Sequence, residues 1–285
     1  MTDLKPTPFK ISTITATGSV NSLINLDVFY ENVIIDPEGL MYIEYGKKKL
    51  DMICRGVNRA AKGTKKKDGK RFDNQVTCII ANGAGVANVK VFKNGKIQMT
   101  GLKEIDQGKA IIDCVIRNLH DLYSRGFTNV VGTVNALINC DYKIRLINSD
   151  FRIGIEIRRD RLNRLIQNSY EVLSSFEPCI YPGVKIQFFW NKTKSGCHDG
   201  ICTCEGYCGG KGEGCGDGDC KKITVAVFQS GCIIITGAQT IAQIDDAYIF
   251  ICNVIKNNRD ELEKIPIKPT PRKSKAVMAA SVSVL

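Results

Sequence analysis

The sequence predicts an α+β fold in which two similar halves share one curved antiparallel sheet, a pseudo-twofold saddle with helices on its convex face. Three observations carry this. The segment Val89-Lys90-Val91-Phe92-Lys93-Asn94-Gly95-Lys96-Ile97-Gln98-Met99-Thr100-Gly101 recurs as Val225-Ala226-Val227-Phe228-Gln229-Ser230-Gly231-Cys232-Ile233-Ile234-Ile235-Thr236-Gly237, with Phe, Gly, Thr and Gly each displaced by 136 residues. Each copy reads as strand, tight turn, strand. Each is followed by a run of helical periodicity.

The elements follow in order. Residues 10–18 are rich in β-branched side chains and close on Gly18, as a strand does. Residues 22–31 read as a short helix and Val33 to Ile35 as a short strand. From Pro37 to Arg71 the periodicity is lost, and 11 Lys/Arg stand against 4 Asp/Glu. The Lys-rich part of that stretch reads as a mobile basic loop. Val76 to Ile80 reads as a strand leading into the first hairpin. From Lys103 to Tyr123, Ile105, Gly108, Ile111, Ile112, Val115, Leu119 and Leu122 fall near a period of 3.6, as on an amphipathic helix.

The second half restarts at the β-rich Thr128 to Val134. A helix, a strand at Ile153 to Ile157, a longer helical stretch from Arg161 to Leu173 and a strand ending at Phe188 follow. A Cys/Gly-rich insertion then precedes the second hairpin, and a helix runs from about Ile241 to Ile255. The expected layout is an arm at 1–7 and a first repeat at 8–125 with its basic insertion at about 37–71. The second repeat spans 126–257 with its insertion at about 196–220, and a basic, disordered tail covers 258–285.

Strand alternation assigns faces within the hairpins. Val89, Val91, Ile97 and Met99 point to a core, and so do Val225, Val227, Ile233 and Ile235. Lys90, Phe92, Gln98 and Thr100 point the other way, as do Ala226, Phe228, Ile234 and Thr236. An isolated Phe on a face of Thr, amide and small apolar groups fits the floor of a DNA minor groove. A Phe at a strand end can wedge between base pairs. A single such Phe would more simply complete a core or a dimer contact; its symmetric recurrence favours the wedge.

Composition is compatible. The formal net charge is +11 and the pI is near 9.0, which suits a polyanionic partner. No signal-peptide core and no apolar run of membrane-spanning length is present, so an intracellular location is expected.

At this point the residues resemble the TATA-box-binding protein family, in particular divergent members from large DNA viruses. The motifs are Phe92-x-x-Gly95-Lys96-x-x-x-Thr100-Gly101-x-Lys103, Phe228-x-Ser230-Gly231-x4-Thr236-Gly237-Ala238, Asn129-Val130-Val131-Gly132 and Ser174-Ser175-Phe176-Glu177-Pro178-x-x-Tyr181-Pro182-Gly183. The resemblance covers roughly residues 8–257 apart from two insertions. It implies a DNA-bending initiation factor whose concave sheet sits in the minor groove of an A·T-rich, TATA-like promoter element. Its convex helices would recruit a B-type initiation factor and the RNA polymerase machinery. The chain would act as a monomer on DNA and could dimerise off it, in the nucleus or viral factory of an infected cell, or packaged in the virion.

Residue by residue, the resemblance makes Phe92 and Phe228 the hairpin wedges. Phe72, following Arg71, becomes the first-strand wedge of half one, and Tyr181 stands where half two normally has Phe. Asn129 matches the central Asn, with Lys10 as its half-one counterpart. Thr100, Thr236, Gln98 and Ile234 would line the groove. Lys96 and Lys103 match phosphate contacts, with Lys90 on the same face, and Cys232 and Gln239 stand in the equivalent half-two positions, which reduces the phosphate contacts on that side.

Cys197, His198, Cys202, Cys204, Cys208, Cys215 and Cys220 fall in one glycine-rich stretch with little apolar content. A subset could hold a structural zinc ion; disulfides and a loop of free thiols are the alternatives. The resemblance puts this insertion at the stirrup of the second repeat, at the edge of the DNA site; a knuckle there is expected to contact a partner or flanking DNA. No nucleotide-binding, hydrolase or metalloprotease motif occurs, so no enzyme is expected. Two further readings are a metal-dependent interaction module and a DNA-bending accessory to nucleic-acid repair or processing.

Overall fold

The computed structural model describes residues 4–46, 53–57, 74–83, 85–194, 198–206, 208–216 and 219–264. Eleven strands among them form a single open sheet, and the helices pack on one side of it. The first half contributes β1 (Lys10–Ser19), α1 (Leu26–Asn32), β2 (Leu40–Tyr45), β3 (Ile53–Gly56), β4 (Gln75–Ala81), β5 (Val86–Phe92), β6 (Lys96–Leu102) and α2 (Gln107–Ser124). The second contributes β7 (Cys140–Arg152), α3 (Arg159–Asn168), β8 (Ser174–Ser175), β9 (Val184–Trp190), β10 (Lys221–Val227), β11 (Cys232–Ala238), α4 (Ile241–Asn257) and α5 (Arg259–Leu262). All pairings are antiparallel, and the order is β3-β2-β4-β5-β6-β1-β7-β11-β10-β9-β8.

The halves join where β1 pairs with β7, and they repeat in register. Ala16, Thr17, Gly18 and Ser19 face Met99, Gln98, Ile97 and Lys96; Ser149, Asp150, Phe151 and Arg152 face Ile235, Ile234, Ile233 and Cys232. The hairpins keep their offset of 136 residues, whereas the central strands are offset by 133 (Ala16 to Ser149). The turn after each hairpin is braced alike. The Gln107 side chain accepts from the Lys103 N–H at 2.7 Å, and the Gln243 side chain from the Gln239 N–H at 2.7 Å.

Patterning explains the layers. The buried faces of β5, β6, β10 and β11 are those read from alternation, and they meet Ile111, Ile112, Val115, Leu119 and Leu122 of α2 and Ile244, Ala247, Ile251, Val254 and Ile255 of α4 in one core. Ala226 departs from the expectation: it is on the outward side yet buried. Helix α1 starts where Asn25 caps the Val28 N–H, and α4 starts where Thr240 caps the Gln243 N–H.

Several expected elements differ. Val33 to Ile35 is not a strand; it leaves α1 in extended form, with Val33 in the core. The stretch 37–71 is not wholly without structure, because β2 and β3 extend the sheet from inside it. Thr128 to Val134 is not the first strand of half two. Thr128–Val130 forms a 3-10 turn against α1 and α2, and the central strand is β7, which begins at Cys140 and fills the stretch expected to be a helix, because it pairs with both β1 and β11. Residues 153–157 are a loop with one bridge, Ile157 to Glu263. The expected tail at 258–285 is ordered at its start, where α5 puts Leu262 into the core; the rest of it beyond Lys264, the Lys-rich run 62–71 and residues 1–3 lie outside the described residues.

Candidate nucleic-acid interface

The sheet's other face carries no helix among the described residues. Strand alternation puts Lys90 and Phe92 of β5 there, with Lys96, Gln98 and Thr100 of β6 and Ile234 and Thr236 of β11. All are exposed or half-buried, whereas their core-facing neighbours are at most 1% exposed. Thr13, Thr15 and Thr17 of β1 alternate with buried Ile14, Ala16 and Gly18, so hydroxyls line the centre of this face.

Asn129 is not on this face. It is exposed on the 3-10 turn, on the helix side of the sheet, because the buried Val130 beside it belongs to the core under α1 and α2. The central amide of half two is Asn148 on β7, between buried Ile147 and Ser149. The Thr236 hydroxyl donates to Asn148 Oδ1. Its half-one counterpart is Thr15, whose hydroxyl lies 3.5 Å from that of Thr100. Lys10 is therefore not the partner of the central Asn. It lies at the exposed start of β1, opposite Asp150. The sequence signal for Asn148 was the alternation Ile147-Asn148-Ser149-Asp150-Phe151, masked by the three-residue difference between the two offsets.

Two charged residues that sequence reasoning passed over also occupy this face. Asp150 lies across from Ile234 and accepts a hydrogen bond from the Ser12 hydroxyl. Arg145 donates from Nε to the Thr17 hydroxyl at 2.8 Å. It shares a hollow with Phe92, Lys96, Gln98 and Lys143. Lys103 is tied to the sheet, its ammonium 2.5 Å from the Ser12 carbonyl.

At the half-two end, the rings of Tyr181 and Phe228 lie 5.7 Å apart and tilted at 59°. The Lys185 ammonium sits 4.4 Å from the Tyr181 ring centre, and neighbouring Ile180 is 78% exposed. The Arg159 guanidinium holds the Pro182 carbonyl, which fixes the loop that presents Tyr181. At the half-one end Phe92 is half-buried; Phe72 and Arg71 lie outside the described residues.

The cysteine insertion is not at the wedge end. Tyr181 comes from the β8–β9 connection, whereas the insertion joins Trp190 to Lys221, which pair at the opposite end of β9 and β10. Cys202, Cys204, Cys208 and Cys220 bring their sulfurs within 4.8 Å of one another. Sulfur–sulfur distances of 3.3 Å (Cys204 to Cys220) and 3.6 Å (Cys202 to Cys220) approach the ~3.8 Å edge of a tetrahedron with ~2.3 Å metal–sulfur bonds. Backbone N–H groups of Cys204, Gly210 and Cys220 point at these sulfurs from 3.2–3.4 Å. Hydrogen bonding to Cys220 and burial push the Cys204 thiol up. Burial also acts upward on Cys220, but the Thr203 N–H and the neighbouring thiols draw it down. Four convergent thiols at these distances fit a tetrahedral cation.

His198 and Cys215 do not join them. The His198 ring stacks on Trp190 at 5.5 Å, with Nε2 at the Asn191 carbonyl (2.8 Å) and Nδ1 3.2 Å from the Asp246 carboxylate. Cys215 is exposed, and Cys197 lies outside the described residues. The insertion is thereby clamped to α4 and covers the end of β9.

No family model matches the chain. In sequence it is 28% identical over 267 residues to a TATA-box-binding protein-like protein of Acanthamoeba polyphaga mimivirus, covering 91% of this chain and 68% of that one. In fold it is similar to the Methanococcus jannaschii TBP, with a TM-score of 0.53 and 17% identity, over 88% of this chain and 99% of that one. Sequence and fold thus agree with the resemblance carried by the twin hairpins, and the chain is similar to TATA-box-binding-protein-like proteins while diverging far from them in sequence.

Proposed function

We propose that this chain is a non-enzymatic transcription initiation factor that binds the minor groove of A·T-rich, TATA-like DNA and bends it. The observation that supports this most is the register-matched pair of half-sheets. Each presents a Phe (Phe92, Phe228) at the end of an open face lined by Thr15, Thr17, Thr100 and Thr236. Threonine hydroxyls and Asn148 can donate to adenine N3 and thymine O2, the acceptors on the floor of that groove. Inserted rings unstack a base step and kink the duplex. Phe228 with Tyr181 would act at one end, and Phe92, joined by Phe72, at the other. The helices on the opposite side are left to meet a B-type initiation factor and polymerase.

The test is bending. Energy transfer between dyes on the two ends of an A·T-rich duplex should rise when the chain is added. Phe92→Ala with Phe228→Ala should abolish the rise. A bend retained by the double variant rules out the wedges.

The same proposal assigns zinc to Cys202, Cys204, Cys208 and Cys220. A zinc ion there would cross-link a glycine-rich segment to the start of β10 and so stabilise its fold. The four thiols supply the ligands, and the N–H groups of Cys204, Gly210 and Cys220 orient the sulfurs. The site is remote from Tyr181 and Phe228, so the role proposed for the knuckle is structural, on the α4 side of the molecule.

A further inference from the structure

Asp150 is an unexpected charge on a surface that is to meet a polyanion. Ser149 and Phe151 on either side are buried in the core, so its side chain goes to the open face. There it lies across from Ile234 on β11 and Lys10 on β1, and Ser12 donates to Oδ1. Its register counterpart in half one is Thr17, so at this register position the carboxylate is present in one half alone; Asp141 borders the hollow beside Thr17 but lies at the start of β7.

An ionised carboxylate only accepts hydrogen bonds, at about four lone-pair sites, of which Ser12 takes one. In the minor groove A·T and T·A pairs show only acceptors; a G·C pair adds one donor, the guanine N2 amino group. A desolvated carboxylate against adenine N3 or thymine O2 is left unpaired, which is costly. Against guanine it is satisfied. The neighbours complete the pattern. Asn148 has its Oδ1 engaged by Thr236, so its amide NH2 is the group it offers, and Lys10 also donates. An acceptor flanked by donors complements a guanine amino group flanked by guanine N3 and cytosine O2. Half one differs at the matching position, where Thr17 stands with the donor-only Arg145 bonded to it, which suits A·T pairs.

We propose that Asp150 makes half two read a guanine amino group, so that the preferred element carries a G·C pair under that half and is bound in one orientation. This rests on the minor-groove reading above. The test starts from duplexes that the full chain selects out of a random pool. The winners should share one G·C pair at a fixed distance from an A·T block. Inosine in place of that guanine removes the amino group alone and should weaken binding at least about tenfold. The same swap at a second G·C pair, placed outside the contacted block, measures the effect of a softer duplex. Diaminopurine, paired with thymine at the read position, restores the amino group and should restore affinity. Asp150→Asn, whose amide also donates, should bind guanine and inosine duplexes alike. Winners made only of A·T pairs, or inosine bound by the native chain as tightly as guanine, overturn the proposal while leaving the bending factor intact. A native chain that bends no duplex overturns the minor-groove reading and this proposal together.

Discussion

At the scale of single residues, the hairpin glycines show how closely the halves match. Gly95 and Gly231 have φ of 76° and 73°, and a Cβ on either would stand 2.1 Å from the Ser22 carbonyl oxygen or 2.2 Å from that of Ile155. Both the left-handed backbone and the lack of space require Gly. Gly95→Ala or Gly231→Ala is expected to cost about 2–4 kcal/mol in urea unfolding, the sum of backbone strain and a displaced loop. Gly83 has φ of 74° but an added Cβ would meet nothing, so Gly83→Ala should cost only about 1 kcal/mol. Equal losses at all three would show that the backbone contact is not what fixes these turns. These glycines, and the Phe and Thr beside them, were legible because a recurring turn leaves the same residues at the same spacing. Asn148 and Asp150 were hidden, because the stretch from central strand to hairpin, with its helix, strands and insertion, differs in net length by three residues in the two halves and a single offset points to the wrong positions.

At the scale of elements, sequence pattern succeeded where one face is buried and failed where context decides. Helices α2 and α4 and the hairpins have a clean period, and their extents came out close. Thr128 to Val134 has strand composition, yet Val130 and Val131 pack into the core between α1 and α2, and a 3-10 turn delivers them there. The reach of β2 into the basic insertion could not be read, because its pairing with β4 is a long-range contact. The cysteine knuckle was legible in composition but not in membership. Spacing could not tell that His198 would stack on Trp190 rather than join the sulfurs. Its chemistry gives an expected outcome for alkylation at neutral pH. Cys54, Cys179 and Cys215 are exposed and should react, whereas burial pushes the Cys78, Cys114 and Cys252 thiols up, Cys252 to about 11, and should leave them inert. A chelator should add four reactive thiols, counted by mass spectrometry. Cys204→Ser should release the metal and Cys215→Ser should not. No gain of reactive thiols on chelation would remove zinc from the account.

At the scale of the whole molecule, the symmetry of the backbone is not matched by its charge. The chain carries a formal +11, but the register pairs Lys96 with Cys232 and Lys103 with Gln239. Arg145 lies near Phe92, and Asp150 lies on the strand that leads to the other end. A duplex on this face would therefore meet more cations under half one. Each neutralised phosphate releases counterions and adds about 0.9 to the slope of log K against log salt. Lys96 is exposed and its ammonium has no hydrogen bond or ion pair among the described residues, so Lys96→Gln should flatten the slope by about 0.9. Cys232→Gln, at the matching place, should leave the slope as it is. Cys232→Lys should steepen it by about 0.9, since the symmetric backbone would place the new ammonium where Lys96 stands in half one. Equal flattening by Lys96→Gln and Cys232→Gln would mean that phosphate contact does not follow this register, and the lopsided charge would then play no part in how the two halves grip DNA.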